Sequence, residues 1–353
     1  FVSYVEYHPQ IDSTNNRARR IALGEEPLQG HASPRRETLR KALPCLILAD
    51  HQSAGRGRGT NRWWTGPGSL AASLLMPPVA EWPQLFSPSA ATRSHRPQQE
   101  SAWEGPSAWC CCWSSPDAAG PFGDPGPFGD AGSSGDPGSF GDAVSLGDPS
   151  SLGHPGSLGD AGFSGDPGSG GNAGFWGQAG PEFPPGLIGL GTALAVLRTV
   201  QPRVPGLAVG LHWPNDVFAA GKKLAGILVE VLANGMVVVG IGVNTNNTVQ
   251  EAPDELRPHL TTLRDLSGQI HPHEHLLLEL LEHCKDVFSL AVPYPDRVAS
   301  EAHRWCLQKG HLLKVQTTGG VIDGLCEGIG SRGELLLRTS DGLRRIFSGS
   351  ILR

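Results

Sequence analysis

The sequence predicts an α+β fold that ends in a small all-β barrel. Short apolar runs are typical of buried strands, and longer segments with apolar residues at helical spacing are typical of packed helices. After Trp305 the pattern changes to short strands separated by glycine, which predicts the barrel. At 353 residues the chain is long enough for two folded domains.

The first part of the chain predicts one helix and two strands. Residues that cap helix N-termini are concentrated in 12–16, so we expect a helix to begin there. The apolar run 44–49 predicts a buried strand, and residues 69–76 predict a second strand.

Apolar patterns typical of folded protein resume at about residue 183. Residues 186–198 predict a buried helix, and 274–290 predict an amphipathic helix. The strands predicted between these helices are 207–213, 224–232 and 235–243, and a turn at Asn234 and Gly235 joins the last two. The barrel strands are predicted at 311–317, 324–330, 334–339 and 344–352.

A low-complexity segment separates the two folded parts. From Gly120 to Gly180 every third residue is glycine, except at Val144 and Ser150. A collagen helix would have this period, but proline is scarce and two glycines are missing. Because so few apolar residues cannot bury a core, we expect a disordered insert. The predicted divisions are 1–86 and 183–303 for one α+β domain in two parts, 87–182 for the insert and 304–353 for the barrel.

Composition and local pattern argue against a nucleic-acid-binding, a membrane-spanning or a secreted protein. The net charge of −6 argues against a large basic surface for nucleic acid, and no apolar run approaches the roughly 18 residues that span a bilayer. The N-terminus lacks a signal-peptide pattern. Seven cysteines without metal-ligand spacing suit a reducing compartment. We therefore expect no partnership with nucleic acid or membrane, and a cytoplasmic location with a mitochondrial one as the alternative.

A loop of glycines and arginines follows the first predicted strand. Arg56 and Arg58 alternate with glycine, and Arg62 follows just before Trp63. Glycine lets a backbone turn tightly around a ligand, and arginine matches the geometry of phosphate and carboxylate groups. The stretch therefore predicts either a loop that closes over a small anion or a flexible segment that contacts nucleic acid.

Later stretches favour the anion-binding loop. Trp213-Pro-Asn-Asp216 ends a strand and places two hydrogen-bonding side chains at its tip. An ordinary turn would explain that tetrapeptide but not Lys223, which opens the next strand and could face the same anion as the arginines.

Five stretches, in order along the chain, resemble the biotin–protein ligase family, which includes holocarboxylase synthetase. They are DSTN (12–15), GRGRG (55–59) with Trp63, WPND (213–216), KLAGILVE (223–230) and GIGVN (240–244). The similarity covers about residues 1–85 and 183–353. It implies a mixed-sheet catalytic domain of the biotin/lipoyl ligase type with a C-terminal SH3-like barrel.

The resemblance also implies a reaction. Biotin and MgATP would form biotinyl-5′-AMP, and a lysine of a biotin carboxyl carrier domain would then accept the biotin. Positive charge at Arg56, Arg58 and Lys223 would offset the repulsion between the biotin carboxylate and the α-phosphate. ATP, Mg²⁺ and biotin are the implied cofactor and substrates, and the resemblance allows a homodimer.

The implied site has three groups of residues. The candidate catalytic residues are Arg58, Lys223, Asp216 and His212. The candidate biotin-binding residues are Ser13, Thr14, Asn15, Gln52, Gly55, Arg56, Gly57, Arg58, His212, Trp213 and Gly226. The candidate ATP or adenylate-binding residues are Arg56, Arg58, Trp63, Asn215, Lys223 and Asn244.

Two departures from the family pattern leave alternatives open. His212 stands where the family usually has lysine, and an ordinary imidazole is mostly neutral at pH 7. The helix-turn-helix of the repressor-type members is not seen, so we expect no DNA binding. The alternatives are a lipoyl or octanoyl ligase of the same fold and a non-catalytic, decayed biotin-binding paralogue.

Overall fold

A seven-stranded mixed sheet forms the centre of the protein. The computed structural model describes residues 1–86 and 186–352, so the insert predicted at 87–182 lies outside the described residues. The strands are β1 (Tyr4–Ile11), β2 (Cys45–Gln52), β3 (Leu70–Met76), β4 (Val209–His212), β5 (Asp216–Ala219), β6 (Lys222–Val231) and β7 (Val237–Val243). Their spatial order is β1-β2-β3-β7-β6-β5-β4. β1 and β2 are parallel, and each other neighbouring pair is antiparallel.

Helices cover both faces of this sheet. They are α1 (Thr14–Leu23), α2 (Arg36–Ala42), α3 (Trp82–Leu85), α4 (Gly186–Val200), α5 (Leu263–Ser267), α6 (His273–Ala291) and α7 (Pro295–Arg304). Leu74 of β3 packs in the apolar cluster that contains Leu194 and Phe288, whereas its neighbour Leu75 packs in a second cluster with Ile21. Because successive side chains of a strand point to opposite faces, α4 and α6 cover one face and α1 covers the other.

The C-terminal sheet has five antiparallel strands, as expected for an SH3-like barrel. They are β8 (Leu312–Thr317), β9 (Gly320–Ile329), β10 (Leu335–Thr339), β11 (Gly342–Ile346) and β12 (Ser350–Leu352), in the order β11-β10-β9-β8-β12. Val315, Ile329 and Leu335 belong to the same apolar cluster as α4 and α6. The predicted α+β fold with a mixed sheet and a C-terminal β unit is confirmed.

The elements that the sequence predicted are present, with shifted bounds. The helix expected near residue 12 begins at Thr14, and the stretch 344–352 is divided into β11 and β12. The elements that were not predicted are β1, β5, α2, α3, α5 and α7. β1 is an edge strand that contains histidine, proline and glutamine, so it lacks an apolar run.

Two further findings concern the residues that the structure describes. None of their helices is long and apolar enough to cross a membrane. Their cysteines, Cys45, Cys284, Cys306 and Cys326, are buried and unbridged.

Candidate functional site

One cavity of about 590 Å³ brings most of the predicted site residues together. It lies on the face of the sheet that α1 covers. The predicted residues that line it are Ser13, Thr14, Asn15, Gln52, Arg56, Gly57, Arg58, Trp63, His212, Trp213, Asn215, Asp216, Lys223 and Gly226. Gly55 and Asn244 are not among the lining residues. A second cavity of about 660 Å³ contains none of the predicted residues.

Three glycines make room for this cavity. Gly240 and Gly242 lie on the same face of β7 as Val238, and Gly226 of β6 pairs with Gly242. A Cβ atom at Gly240 would lie 2.0 Å from Asn15 Oδ1, and one at Gly242 would lie 2.4 Å from the Trp63 ring. Only glycine therefore lets Asn15 and Trp63 lie this close to the sheet.

The DSTN stretch forms the N-terminus of α1. Ser13 is the N-cap residue, but its side chain makes no capping hydrogen bond. Gln52 replaces it, because its Oε1 accepts hydrogen bonds from Thr14 N at 2.8 Å and Thr14 Oγ1 at 3.2 Å. Gln52 Nε2 in turn donates to Thr65 Oγ1 at 3.1 Å. This end of the cavity thus consists of neutral hydrogen-bonding groups that are already held in place.

Asp12 fixes the same helix end from outside the cavity. Its carboxylate accepts hydrogen bonds from Arg20 at 2.9 and 3.1 Å and from Asn16 Nδ2 at 2.9 Å. Partial burial raises the pKa of Asp12, but the hydrogen bonds from Arg20, Asn16 and the Ser13 backbone outweigh it and lower the pKa to about 2.

The glycine–arginine loop folds back on itself. Gly57 N donates to Asn61 O, and Trp63 N donates to Gly55 O, each at 2.9 Å. A Cβ at Gly55 would lie 2.5 Å from Trp63 O, so the close approach of the two sides of the loop requires glycine there. Gly55 therefore shapes the loop without lining the cavity.

The two arginines of this loop have different surroundings. Arg56 forms an ion pair with Glu230 at 2.9 Å. Arg58 donates to Gly349 O at 3.2 Å, and no carboxylate within the described ranges pairs with it. Burial lowers the pKa of Arg58, although Asp216 raises it in part. Since an arginine stays protonated in proteins, Arg58 presents a desolvated positive charge to the cavity.

Lys223 and Asp216 form the charged end of the cavity. Lys223 Nζ lies 2.8 Å from Asp216 Oδ2 and 5.7 Å from the centre of the Trp63 ring. Asp216 Oδ1 and Trp63 Nε1 are buried without a hydrogen-bond partner among the described residues. One acceptor and one donor are therefore left for a bound molecule.

The WPND stretch has mixed roles. The His212 ring stacks on Phe218, with centroids 4.2 Å apart, and lines the cavity. Trp213 is buried, and its Nε1 donates to Gly333 O at 3.0 Å, which joins the sheet to the C-terminal strands. Asn215 Nδ2 donates to Ile227 O, and Ile227 N donates to Asn215 O at 2.9 Å, which fixes this turn to β6.

Asn244 is buried outside the lining of the cavity. Its Oδ1 accepts a hydrogen bond from Asn247 Nδ2 at 3.2 Å. Its backbone N donates to Leu224 O at 2.9 Å, one residue from Lys223. In this structure Asn244 supports the end of β7 rather than the surface of the cavity.

Some lining residues were missed by the sequence-based prediction. Three of them, Ser348, Ser350 and Ile351, come from the C-terminal segment. The others include Asn61, Phe218, Leu228 and Gly240. Asn61, Leu228 and Gly240 lie in or beside the quoted stretches, so their positions could have been included. The C-terminal residues are far from those stretches in sequence, and no local pattern marks them.

Comparison with known proteins finds relatives in sequence and in fold. The sequence pattern of the "Biotin/lipoate A/B protein ligase family" matches residues 181–246. The chain is 31% identical over 170 residues to the "Bifunctional ligase/repressor BirA" of Bacillus subtilis, covering 45% of this chain and 51% of the relative. It is 36% identical over 155 residues to the "Biotin--[acetyl-CoA-carboxylase] ligase" of Mycobacterium tuberculosis, covering 43% and 56%. The chain thus spans about half the length of these relatives.

A solved structure shares the fold over nearly its whole length. The biotin protein ligase from Aquifex aeolicus in complex with biotin and ATP superimposes with a TM-score of 0.58 at 18% identity, covering 99% of this chain and 97% of that one. At this identity the likeness concerns the fold alone. The ordered sequence stretches, the family match over residues 181–246 and the shared fold agree, and the described part of the chain resembles the biotin/lipoate A/B protein ligase family in both sequence and fold.

Proposed function

We propose that the protein is an ATP-dependent biotin–protein ligase. In the first step an oxygen of the biotin carboxylate attacks the α-phosphorus of ATP, the bond to the β-phosphate breaks, and pyrophosphate leaves. In the second step the neutral amine of an acceptor lysine attacks the acyl carbon. The bond to AMP then breaks, and the amine proton is lost as the amide forms.

The distribution of charge in the cavity is the observation that carries this proposal. Neutral groups of Thr14, Asn15 and Gln52 lie beside Gly240, whereas Lys223 and Asp216 lie beyond Gly242 and Gly226. Since Gly240 and Gly242 are two residues apart on one strand, these ends are roughly 7 Å apart along the sheet. A ligand with an uncharged polar head and an anionic tail matches this arrangement.

Arg58 and Lys223 suit the chemistry of the first step. Carboxylate and α-phosphate repel one another, and positive groups fixed in a partly dehydrated site reduce that barrier. Arg58 has a desolvated charge, and its hydrogen-bond partner among the described residues is the backbone carbonyl of Gly349. Lys223 is oriented by Asp216 and by the Trp63 ring. These contacts support a role for both side chains in offsetting the developing negative charge.

Asp216 fits the expected Mg²⁺. Its buried Oδ1 has no hydrogen-bond partner in the described part of the chain, and an oxygen of this kind is a ligand that Mg²⁺ prefers. No cluster of three or more metal-ligating side chains occurs within the described ranges. That is compatible with Mg²⁺, which is commonly held by one carboxylate, phosphate oxygens and water. When bound, the ion would neutralise triphosphate charge.

The acceptor is proposed to be a lysine of a biotin carboxyl carrier domain. The relative from Mycobacterium tuberculosis is named as a ligase for acetyl-CoA-carboxylase, which supports an acceptor of this class. The loop 55–63 would cover the adenylate until the acceptor arrives and would exclude water from the mixed anhydride.

Formation of the adenylate tests the proposal. Purified protein would be incubated with biotin and α-labelled MgATP without acceptor, and biotinyl-AMP and pyrophosphate would be measured by chromatography. Equimolar formation of both is expected. Parallel reactions with lipoate and octanoate test the related ligases, and adenylation of lipoate alone would refute the choice of biotin. Biotin binding without an adenylate would instead identify a non-catalytic relative.

A further inference from the structure

Glu230 is a shared acceptor at the back of the site. Its carboxylate accepts hydrogen bonds from Asn15 Nδ2 at 2.9 Å, from Arg19 Nη1 at 2.9 Å, and from Arg56 Nη1 at 2.9 and 3.0 Å. Its side chain is only 15% exposed. The three donors come from α1 and from the glycine–arginine loop, while Glu230 itself lies on β6. One carboxylate therefore joins three separate parts of the fold.

The contact with Glu230 compensates the positive charge of Arg56. Both Glu230 oxygens lie near Arg56 Nη1, which also lies 3.3 Å from Asn16 Oδ1. An arginine held in this way has its charge compensated within the protein. Arg56 therefore anchors the base of the loop, and Arg58, two residues further on, carries the charge that a ligand can meet.

The same carboxylate also fixes the orientation of the Asn15 amide. Asn15 Nδ2 points to Glu230, while Asn15 Oδ1 accepts a hydrogen bond from Ser73 Oγ at 2.7 Å. Ser73 Oγ also lies 2.8 Å from Thr14 Oγ1. A continuous hydrogen-bonded path thus leads from the loop, through Glu230, to the neutral end of the cavity.

We propose that Glu230 is the positioning residue of the loop 55–63: it holds Arg56 and Asn15 in one arrangement, so that the closed loop retains an acyl-adenylate. This inference rests on the proposed function. It assigns Glu230 no contact with substrate. Its effect passes through Arg56 and Asn15, so its loss should affect the adenylate complex more than the complex with biotin alone.

Glu230→Gln is the variant that tests the role. It keeps the size of the side chain but replaces one acceptor oxygen by a donor that faces arginine donors. Arg19 and Arg56 are 40% and 33% exposed, so water can solvate them and the variant should fold. Glu301→Gln is a matched control, because Glu301 is 21% exposed, pairs with Arg198, and lies outside the cavity lining.

Calorimetry would compare biotin with a non-hydrolysable biotinyl-AMP analogue. A charge-assisted hydrogen bond corresponds to about a tenfold or larger change in an equilibrium constant. We expect Glu230→Gln to weaken analogue binding by about tenfold or more and biotin binding by only a few-fold. Glu301→Gln should change neither. Equal losses for the two ligands would overturn the proposed role in retention.

A second measurement needs no ligand. Trypsin would be added to the folded protein, and cleavage after Arg56 and Arg58 would be followed by mass spectrometry. Faster cleavage is expected in Glu230→Gln than in the wild type or in Glu301→Gln. Equal rates would refute the proposal that Glu230 holds the loop in place. If the wild-type protein binds neither biotin nor the analogue, the proposed function fails and the retention role fails with it. The cleavage rates then still decide whether Glu230 holds the loop.

Discussion

Arg56 and Arg58 are chemically identical and only two residues apart, yet they have different electrostatic surroundings. Arg56 is paired with Glu230, and Arg58 has a backbone carbonyl as its partner. The sequence alone predicted that both would offset anionic charge. At the scale of single residues, the location of the nearest carboxylate determines which arginine has a charge that a bound anion can pair with.

Replacing Arg58 with alanine should weaken retention of biotinyl-AMP more than binding of biotin. Because the proposed contact of Arg58 is charge-assisted and directed at the phosphate, we expect a loss of about tenfold to a hundredfold for a biotinyl-AMP analogue and less for biotin. Calorimetry with each ligand measures both. Lys222→Ala, at an exposed position beside Lys223, is the control. Losses of the same size for both ligands would contradict the assignment.

Asp12 gives a prediction about acid stability. The pKa of its carboxyl is about 2 in the folded protein, below the ordinary value near 3.9 of an unfolded chain. A depressed pKa means that Asp12 stabilises the fold fully above about pH 4 and that this contribution is lost as the pH falls towards 2. The free energy of unfolding of Asp12→Asn should therefore be below that of the wild type at pH 6, and the difference should shrink near pH 2. Urea titrations at several pH values measure this, and a constant difference would contradict it.

At the scale of elements, α1 is fixed to β1 by a buried ion pair. Arg17 Nε and Nη2 donate to the two oxygens of Glu6 at 2.9 and 3.1 Å. The Glu6 side chain is fully buried, and Gln29 N also donates to it. Burial raises the pKa of Glu6, but the hydrogen bonds from Arg17 and Gln29 outweigh it and hold the pKa below its usual value. The position of α1, and with it the DSTN end of the cavity, depends on this pair.

Arg17→Met should destabilise the protein strongly at neutral pH. It would leave the buried Glu6 carboxylate without its cation, a change that typically costs about 3–5 kcal/mol. Chemical denaturation at pH 7 measures the loss. The double variant Glu6→Gln with Arg17→Met removes both charges and should lose less than Arg17→Met alone. A double variant as unstable as the single one would show that packing of the Arg17 stem, rather than charge, is what matters.

At the scale of the whole molecule, residues on both sides of the predicted insert contribute to one core. Trp82 of α3 packs against Phe288 of α6 with ring centroids 5.1 Å apart, and Leu187 of α4 is fully buried in the same cluster. The core therefore combines chain from before residue 87 with chain from after residue 185.

Removal of residues 87–182 should leave a cooperatively folding protein. The composition of that segment is too poor in apolar residues to form a core, so a flexible glycine–serine linker should be able to replace it. Thermal unfolding followed by circular dichroism measures this. As a control, Trp82→Ala in the shortened chain should cost about 3–5 kcal/mol because it empties the core. Loss of the cooperative transition in the shortened chain itself would place the segment in the core.

The sequence predicted those parts of the fold that have a strong local pattern. The apolar runs of β2, β3, β6 and β7, and the helical spacing in α4 and α6, are buried on one or two sides, and burial imposes these patterns. β1 lies at the edge of the sheet and α2 is largely exposed, so both have little apolar content and no local sequence pattern predicted them. The quoted stretches likewise have a recognisable local pattern, whereas the cavity residues Ser348, Ser350 and Ile351 do not.

By itself the sequence determined the α+β class, the order of the five stretches and half of the residues that line one cavity, because these depend on residue type and local spacing. Only the tertiary structure determined which residues contact one another across the site. Register sets Gly226 against Gly242 and so opens the space for Trp63, packing of α1 brings Asn15 and Arg19 to Glu230, and the C-terminal strands bring Gly349 to Arg58. Contacts between residues far apart in the chain depend on how the elements pack, and no local pattern encodes that. For this reason the pairing of Arg56 with Glu230 is visible only in the folded protein.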